Sequence, residues 1–320
     1  MIEPSSYYAY VEDLCIITTY FNSNNYKTKL KNLTAFRKRI EEAGLKLIIV
    51  ECIFNAQTFT LNSYRESTTI IRVKATDVMW QKERLWNLAL SKLPTSCTKV
   101  ACIDCDILFN NSKWALETSK ILDIFPIVQL FEIGIQLPKD QEIYRGEGRI
   151  VKSFAAIYKD QPNYIYNDDD DDKEYGHPGY AWAVRKDLLL KHGFYDASII
   201  GGGDRLMQQA MCGTWNSRAL KLFFGKNKCH FNYFLNWAQK FYKDVQGQVT
   251  CVSGSILHLW HGTKENRQYL ERQLKINSFN FDPENDIIID ENGCWKWNSD
   301  KTDMHQYLIN YFLQRKEDGD

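Results

Sequence analysis

Residues 99–109 read Lys-Val-Ala-Cys-Ile-Asp-Cys-Asp-Ile-Leu-Phe. A short apolar run, Val100 to Ile103, meets Asp104-Cys105-Asp106 and resumes at Ile107. A brief continuous apolar run bounded by polar residues describes a strand covered on both faces, as in a parallel sheet. The two carboxylates then stand at the strand's end, where its packing does not call for them. Spaced i and i+2, they can share a divalent cation with a diphosphate, because Mg2+ and Mn2+ are held by one or two carboxylates plus phosphate oxygens.

The flanking chain repeats the strand-then-helix rhythm. Leu14 to Thr18 is a buried strand, and Tyr26 to Ala43 carries Leu30, Leu33, Phe36 and Ile40 at helical spacing, with Gly44 as its stop. Leu45 to Val50 is a second strand ending at Glu51, and Thr69 to Val73 a third. Val78 to Leu90 reads as a helix, 113–123 as another, and 127–131 as a strand. This alternation predicts an α/β protein with a mostly parallel central sheet and helices on both faces. Ligands in such sheets bind beyond the carboxyl ends of the strands, where Glu51 and the Asp104/Asp106 pair are expected.

From about 133 to 176 the pattern lapses into a polar segment with Gly146 and Gly148, ending in the acidic run Asp168 to Asp172. It reads as a flexible loop over the site, in preference to a solvated insertion with no role, its acidic run a solvated block. A strand over 176–185, a helix through Leu188 to Leu190, a helix starting at Leu206, a strand over 256–260 and a closing helix at 302–315 complete the chain.

Composition narrows the function. The 320 residues have 40 basic and 40 acidic side chains, so there is no electrostatic footprint for nucleic acid or an anionic membrane surface. Nine Trp and eighteen Tyr suit pockets that stack on sugar or base rings, as well as an aromatic core. Glu12 and Asp13 precede the short run at Leu14 to Ile17, unlike a secretory signal, and no run reaches the roughly 18 apolar residues of a membrane span. A soluble, cytoplasmic protein is expected. Nine cysteines then read as free thiols, and Cys102/Cys105, with no second pair, do not form a zinc site.

Three further clusters carry chemistry. Ile199-Ile-Gly-Gly-Gly-Asp204 places glycines, which permit close backbone approach, before an acid at a helix start. Asp204 is a candidate general base for an acceptor hydroxyl, and an N-cap reading does not exclude that role. His258-Leu-Trp-His261-Gly262 puts two imidazoles at a strand end as candidate metal ligands. On the helix of Lys82, Arg84 and Asn87, the last two share a face from which they can reach a diphosphate.

In this order the motifs resemble the GT-A glycosyltransferases, in particular the GT2-like inverting group with the β-1,4-galactosyltransferases and polypeptide N-acetylgalactosaminyltransferases. The resemblance spans roughly residues 12 to 275. It implies a Rossmann-like nucleotide-binding half over about 10–132, an acceptor and catalytic half over about 176–275, and a C-terminal extension at 276–320 packed on them. It implies donor contacts from Thr18, Tyr20 and Asn22 on the first strand, Glu51 near the base or ribose, Lys82, Arg84 and Asn87 near the phosphates, and Trp182, Gly202 and Gly203 around the sugar. Asp104, Asp106 and His258, with His261 beside it, would hold Mn2+ or Mg2+, and Asp204 would be the base. The activity implied is transfer of a sugar, with inversion, from a nucleoside-diphosphate sugar (UDP favoured) to a glycan, protein or small-molecule acceptor. One departure is that a single acid, Asp204, follows the glycines where the family usually carries two. A sugar nucleotidyltransferase and a non-catalytic carbohydrate-binding or assembly protein are the alternatives. The stretch Trp295-Lys-Trp297 with the last helix is expected to pack, or else to meet acceptor or a second copy in a homodimer.

Overall fold

The computed structural model describes residues 11–163 and 176–319, so the acidic run Asp168 to Asp172 lies outside the described residues. Strand β1 (Leu14–Phe21) is buried along its whole length. Its side chains alternate between two cores, Cys15, Ile17 and Phe21 on one face and Leu14, Ile16 and Tyr20 on the other. Helix α1 (Lys27–Glu42) covers the second face with Leu33, Phe36 and Ile40. Then follow β2 (Lys46–Phe54), β3 (Thr68–Ala75), α2 (Lys82–Leu90), β4 (Lys99–Ile103), β5 (Ile107–Phe109), α3 (Trp114–Leu122) and β6 (Ile127–Gln129).

Where a loop is expected from 133 onward, the described residues up to 163 carry regular elements, β7 (Ile133–Gln136), β8 (Arg149–Lys152) and α4 (Phe154–Asp160). The second half adds β9 (Ala181–Arg185), α5 (Lys186–His192), α6 (Gly203–Cys212), α7 (Arg218–Phe224), α8 (Lys228–Val245), β10 (Val249–Cys251) and β11 (Ser255–His258). The chain ends through α9 (Glu271–Ser278), α10 (Pro283–Asp286), the hairpin strands β12 (Ile287–Ile289) and β13 (Trp295–Trp297), and α11 (Thr302–Gln314).

Seven strands form the central sheet in the order β10-β6-β9-β4-β1-β2-β3. All neighbours pair in parallel except at β9, which runs antiparallel between β4 and β6. Helices α1 and α3 pack on one face; α2 and α4 to α8 contribute to the core on the other. The expected α/β sheet, mostly parallel and covered on both faces, is therefore present. A second sheet, β5-β11-β7-β8, stands beside the ends of β4 and β6. Among the described residues no helix is long and apolar enough to cross a membrane.

Two boundaries matter for the site. Glu51 does not end a strand, because β2 continues through Cys52, Ile53 and Phe54 and pairs with β3 throughout. Helix α2 begins at Lys82, not at residue 78; the Trp80 amide instead donates to the Ile199 carbonyl (2.8 Å), tying this entry to the glycine segment.

The described part of the C-terminal extension, residues 276–319, is integral to the fold. Phe281, Cys294, Met304, Leu308 and Tyr311 join the main core. Gln81, fully buried, exchanges two hydrogen bonds with the Trp295 backbone (2.8 and 3.0 Å).

Candidate active site

The carboxyl ends of β1 and β4 lie side by side, and a cleft of about 930 Å3 opens over them. That is at the large end of the range for small-molecule sites, about 300–1,000 Å3. Thr19 and Phe21 line it from β1, and Asp104 to Asp106 from the turn after β4. Because β9 is antiparallel, its start brings Gly179 and Tyr180 to the same edge.

The second sheet assembles three ligand-type side chains. Strand β5 leaves Asp106 and pairs with β11 so that His258 lies opposite Ile107, and the Leu259 amide donates to the Asp106 carbonyl (2.9 Å). His258 is thereby fixed beside Asp106, and the irregular stretch after β11 brings His261 to the same point. Asp106 Oδ2 is 3.1 Å from His261 Nε2 and 3.9 Å from His258 Nε2, and the two Nε2 atoms are 3.1 Å apart. Such separations fit ligands sharing one ion at bonds of about 2.0–2.2 Å.

The electrostatics agree. Burial, with Arg267 nearby, holds both imidazoles well below their ordinary pKa, hence neutral, the state in which an imidazole nitrogen can ligate; His261 Nε2 here accepts from Arg267 Nη2 and would exchange that bond for one to a metal. Burial and the charge of Asp104 push Asp106 up to about 7, and its Oδ1 is buried with no hydrogen-bond partner. A cation would relieve both. The residues thus fit a divalent metal, with a carboxylate and two imidazoles as the donor set.

Asp104 is placed differently from its expected ligand role. Its Oδ1 lies 3.2 Å from Lys82 Nζ, and the same ammonium reaches both oxygens of Asp204 (3.0 and 3.1 Å). Lys82 is buried, which by itself would lower its pKa, but Asp104, Asp204 and Glu83 override this and hold it well above the ordinary value. Glu83, beneath them, is pushed up to about 8 by burial. Lys82 therefore bridges two carboxylates on the cleft floor; it is not positioned as an independent phosphate contact.

Asp204 lies in the first turn of α6. Gly202 before it has φ +96, and a Cβ there would come 2.7 Å from the Phe223 ring, so the tight entry needs glycine. Gly203 abuts the Glu83 carboxyl and does not line the cleft, whereas Gly202 and Asp204 do.

Tyr180 ties these parts together. Its ring lies between His177 (centroids 3.7 Å) and His258 (4.6 Å), and its hydroxyl accepts from Gln136 (2.7 Å). Its carbonyl accepts from the Asp104 amide (2.8 Å), and its φ of +79 is unusual for a non-glycine residue.

Other expected contacts lie elsewhere. Arg84 and Asn87 turn away from the cleft to Asp196 (3.0 and 2.8 Å), holding the segment after α5. Glu51 accepts from the Thr60 and Leu61 amides and shapes that loop. Asn22 accepts from the Tyr26 amide (2.9 Å) at the entry to α1 and donates to the Tyr20 hydroxyl. Thr18 and Trp182 are buried, the Trp182 indole donating to the Pro178 carbonyl. The β1 residues facing the cleft are Thr19 and Phe21 in place of Thr18 and Tyr20.

Sequence reasoning missed the cationic wall. Lys29, Arg149, Arg205, Lys264, Arg267, Arg272 and Arg315 line the cleft, facing Glu317 and the three aspartates. Arg315 and Glu317 come from the end of the chain, and Arg267 and Arg272 from the region of α9. No local motif announces them. Arg267 Nη2 lies 2.9 Å from His261 Nε2.

No protein-family model matches the chain, and no curated protein matches it. Among solved structures it is similar to the catalytic domain of Drosophila β1,4-galactosyltransferase 7 in complex with xylobiose (10% identity, 92% of this chain and 98% of that one, TM-score 0.39). It is also similar to glucosyl-3-phosphoglycerate synthase of M. tuberculosis (7%, 91% and 89%, TM-score 0.39). A third is 4-diphosphocytidyl-2C-methyl-D-erythritol synthase of Anaerococcus prevotii (13%, 82% and 96%, TM-score 0.36). At these TM-scores the functional reading rests on the chain's own geometry.

Proposed function

We propose that this chain is a GT-A-type glycosyltransferase that moves a sugar, with inversion, from a nucleoside-diphosphate sugar, UDP-linked by preference, to an acceptor hydroxyl. The observation that carries this reading is the convergence of Asp106, His258 and His261 in a cationic cleft that also holds Asp204.

Asp106, His258 and His261 would hold a divalent ion, which supplies positive charge against the departing diphosphate. Two imidazoles in the set favour Mn2+ over Mg2+, which prefers an oxygen shell. Arg267, beside His261, and the ammonium groups of Lys29 and Lys264 add donors and charge for the diphosphate. Asp204 takes the proton of the acceptor hydroxyl as its oxygen bonds to the anomeric carbon; the bond from that carbon to the phosphate oxygen breaks, and its electron pair leaves on the diphosphate. Lys82 fixes Asp204 relative to Asp104.

The test is mass-spectrometric consumption of a panel of UDP-sugars by the full chain, with Mn2+, with EDTA, and for Asp204→Asn and Asp106→Ala. Loss of turnover in EDTA and in Asp106→Ala is expected, with a fall of about 10²–10⁴-fold in Asp204→Asn. Equal rates in all four arms would end the reading.

A further inference from the structure

Arg272 lines the cleft from α9 and is only 5% exposed. A buried guanidinium ordinarily has a carboxylate beside it. Arg315, buried nearby, has Glu317 at 2.5 Å. Among the described residues Arg272 has no carboxylate at ion-pair distance.

The group is nevertheless held firmly. Its Nη1 donates to the Tyr311 hydroxyl and to the Arg267 carbonyl (3.4 Å). Tyr311 also accepts from Arg315 Nη1 (3.0 Å) and donates to the Arg267 carbonyl (3.2 Å), so its one donor and two acceptor positions are filled. The Arg272 guanidinium lies 4.9 Å from the Tyr269 ring and 5.6 Å from that of Tyr311. Its Nε is buried with no partner, and Nη2 makes no hydrogen bond among the described residues. A fixed guanidinium on a cleft wall, with no carboxylate beside it and Nη2 unengaged, is suited to receive an anion.

The guanidinium nitrogens of Arg272 and Arg267 face different parts of the cleft. Arg272 Nη2 would come 3.3 Å from a Cβ on Gly201, three residues before Asp204, whereas Arg267 reaches the metal-ligand trio. We propose that Arg272 receives an anionic group, a phosphate or a carboxylate, carried by the acceptor, making the acceptor an acidic or phosphorylated molecule and not a neutral glycan. This inference rests on the glycosyl-transfer reading above.

Calorimetric titration tests it with the full chain saturated in UDP and Mn2+. Sulfate serves as the probe for a phosphate-type dianion, and acetate, in a parallel arm, for a carboxylate. At least one probe should bind alongside UDP and bind at least about tenfold more weakly to Arg272→Gln, with UDP affinity kept within about twofold. The tighter probe identifies the acceptor's group. Should Arg272→Gln lose its native near-UV signal, Arg272→Lys keeps the charge without the fork and should weaken the probe while keeping UDP. Failure of both probes to bind, or their displacement by UDP, overturns the inference and gives Arg272 to the donor. Failure of UDP to bind the wild-type chain instead defeats the glycosyl-transfer reading, and a sulfate titration with Mn2+ alone still reports whether the seat exists.

Discussion

At the residue scale, placement depends on which face a side chain takes. Asp106 was legible because it stands just past an apolar strand, at the edge where parallel strands end; His258 comes beside it through the antiparallel pairing of β11 with β5. Arg84 and Asn87 were misplaced because helical spacing shows that two residues share a face, not which face meets the ligand; here that face meets Asp196. Buried His230 gives a separate test. It sits among Phe223, Phe224, Phe281 and Tyr195, with no hydrogen bond to either ring nitrogen, and burial depresses its pKa to about 3. The unfolded chain binds the extra proton between about pH 6.5 and 3, so stability falls as pH drops through that window. At pH 5 the expected loss from this group is about 2 kcal/mol. Denaturant titrations at pH 7 and pH 5 should show His230→Phe losing less stability on acidification than wild type by about that amount; parallel losses would refute the assignment.

At the element scale, the strands near the site were read closely, and the misses have local causes. Strand β2 was stopped at Glu51 although Cys-Ile-Phe continues its apolar run, which moved Glu51 to an end it does not occupy. Helix α8 does have a sequence signature, since Phe234, Ala238, Phe241 and Val245 recur at helical spacing and are all buried. Its start is fixed by Asn227, whose Oδ1 accepts from the His230 amide (3.1 Å) while its Nδ2 donates to the Phe281 carbonyl (2.7 Å). Asn227→Ala removes a helix cap and a buried tie between α8 and the C-terminal segment, with an expected loss of about 2 kcal/mol in chemical denaturation. A loss below about 0.5 kcal/mol would show that neither bond matters.

At the scale of the whole molecule, the α/β sheet and the site's position at its carboxyl edge followed from the sequence, but the cleft's far wall did not. Arg272, Arg315 and Glu317 reach the cleft only because α9 and α11 fold back across it, a tertiary event without a periodic signature. The fold-back has support at both ends: Asp318 accepts from the Lys27 and Thr28 amides at the start of α1, and Gln81 grips Trp295. A chain ended after Lys275 should therefore expose apolar surface, bind a hydrophobic dye and lack a cooperative thermal transition. A cooperative, dye-free truncated protein would contradict this view.

The central claim is that one carboxylate and two imidazoles hold a cation that in turn holds a nucleoside diphosphate. It is tested most directly by calorimetric titration of UDP into the full chain with Mn2+ and with EDTA, for wild type and Asp106→Asn. The account predicts binding by wild type with Mn2+, at least about tenfold weaker binding in EDTA, and equally weak binding by Asp106→Asn in both conditions. UDP affinity unaffected by the metal, or retained in full by Asp106→Asn, would contradict it.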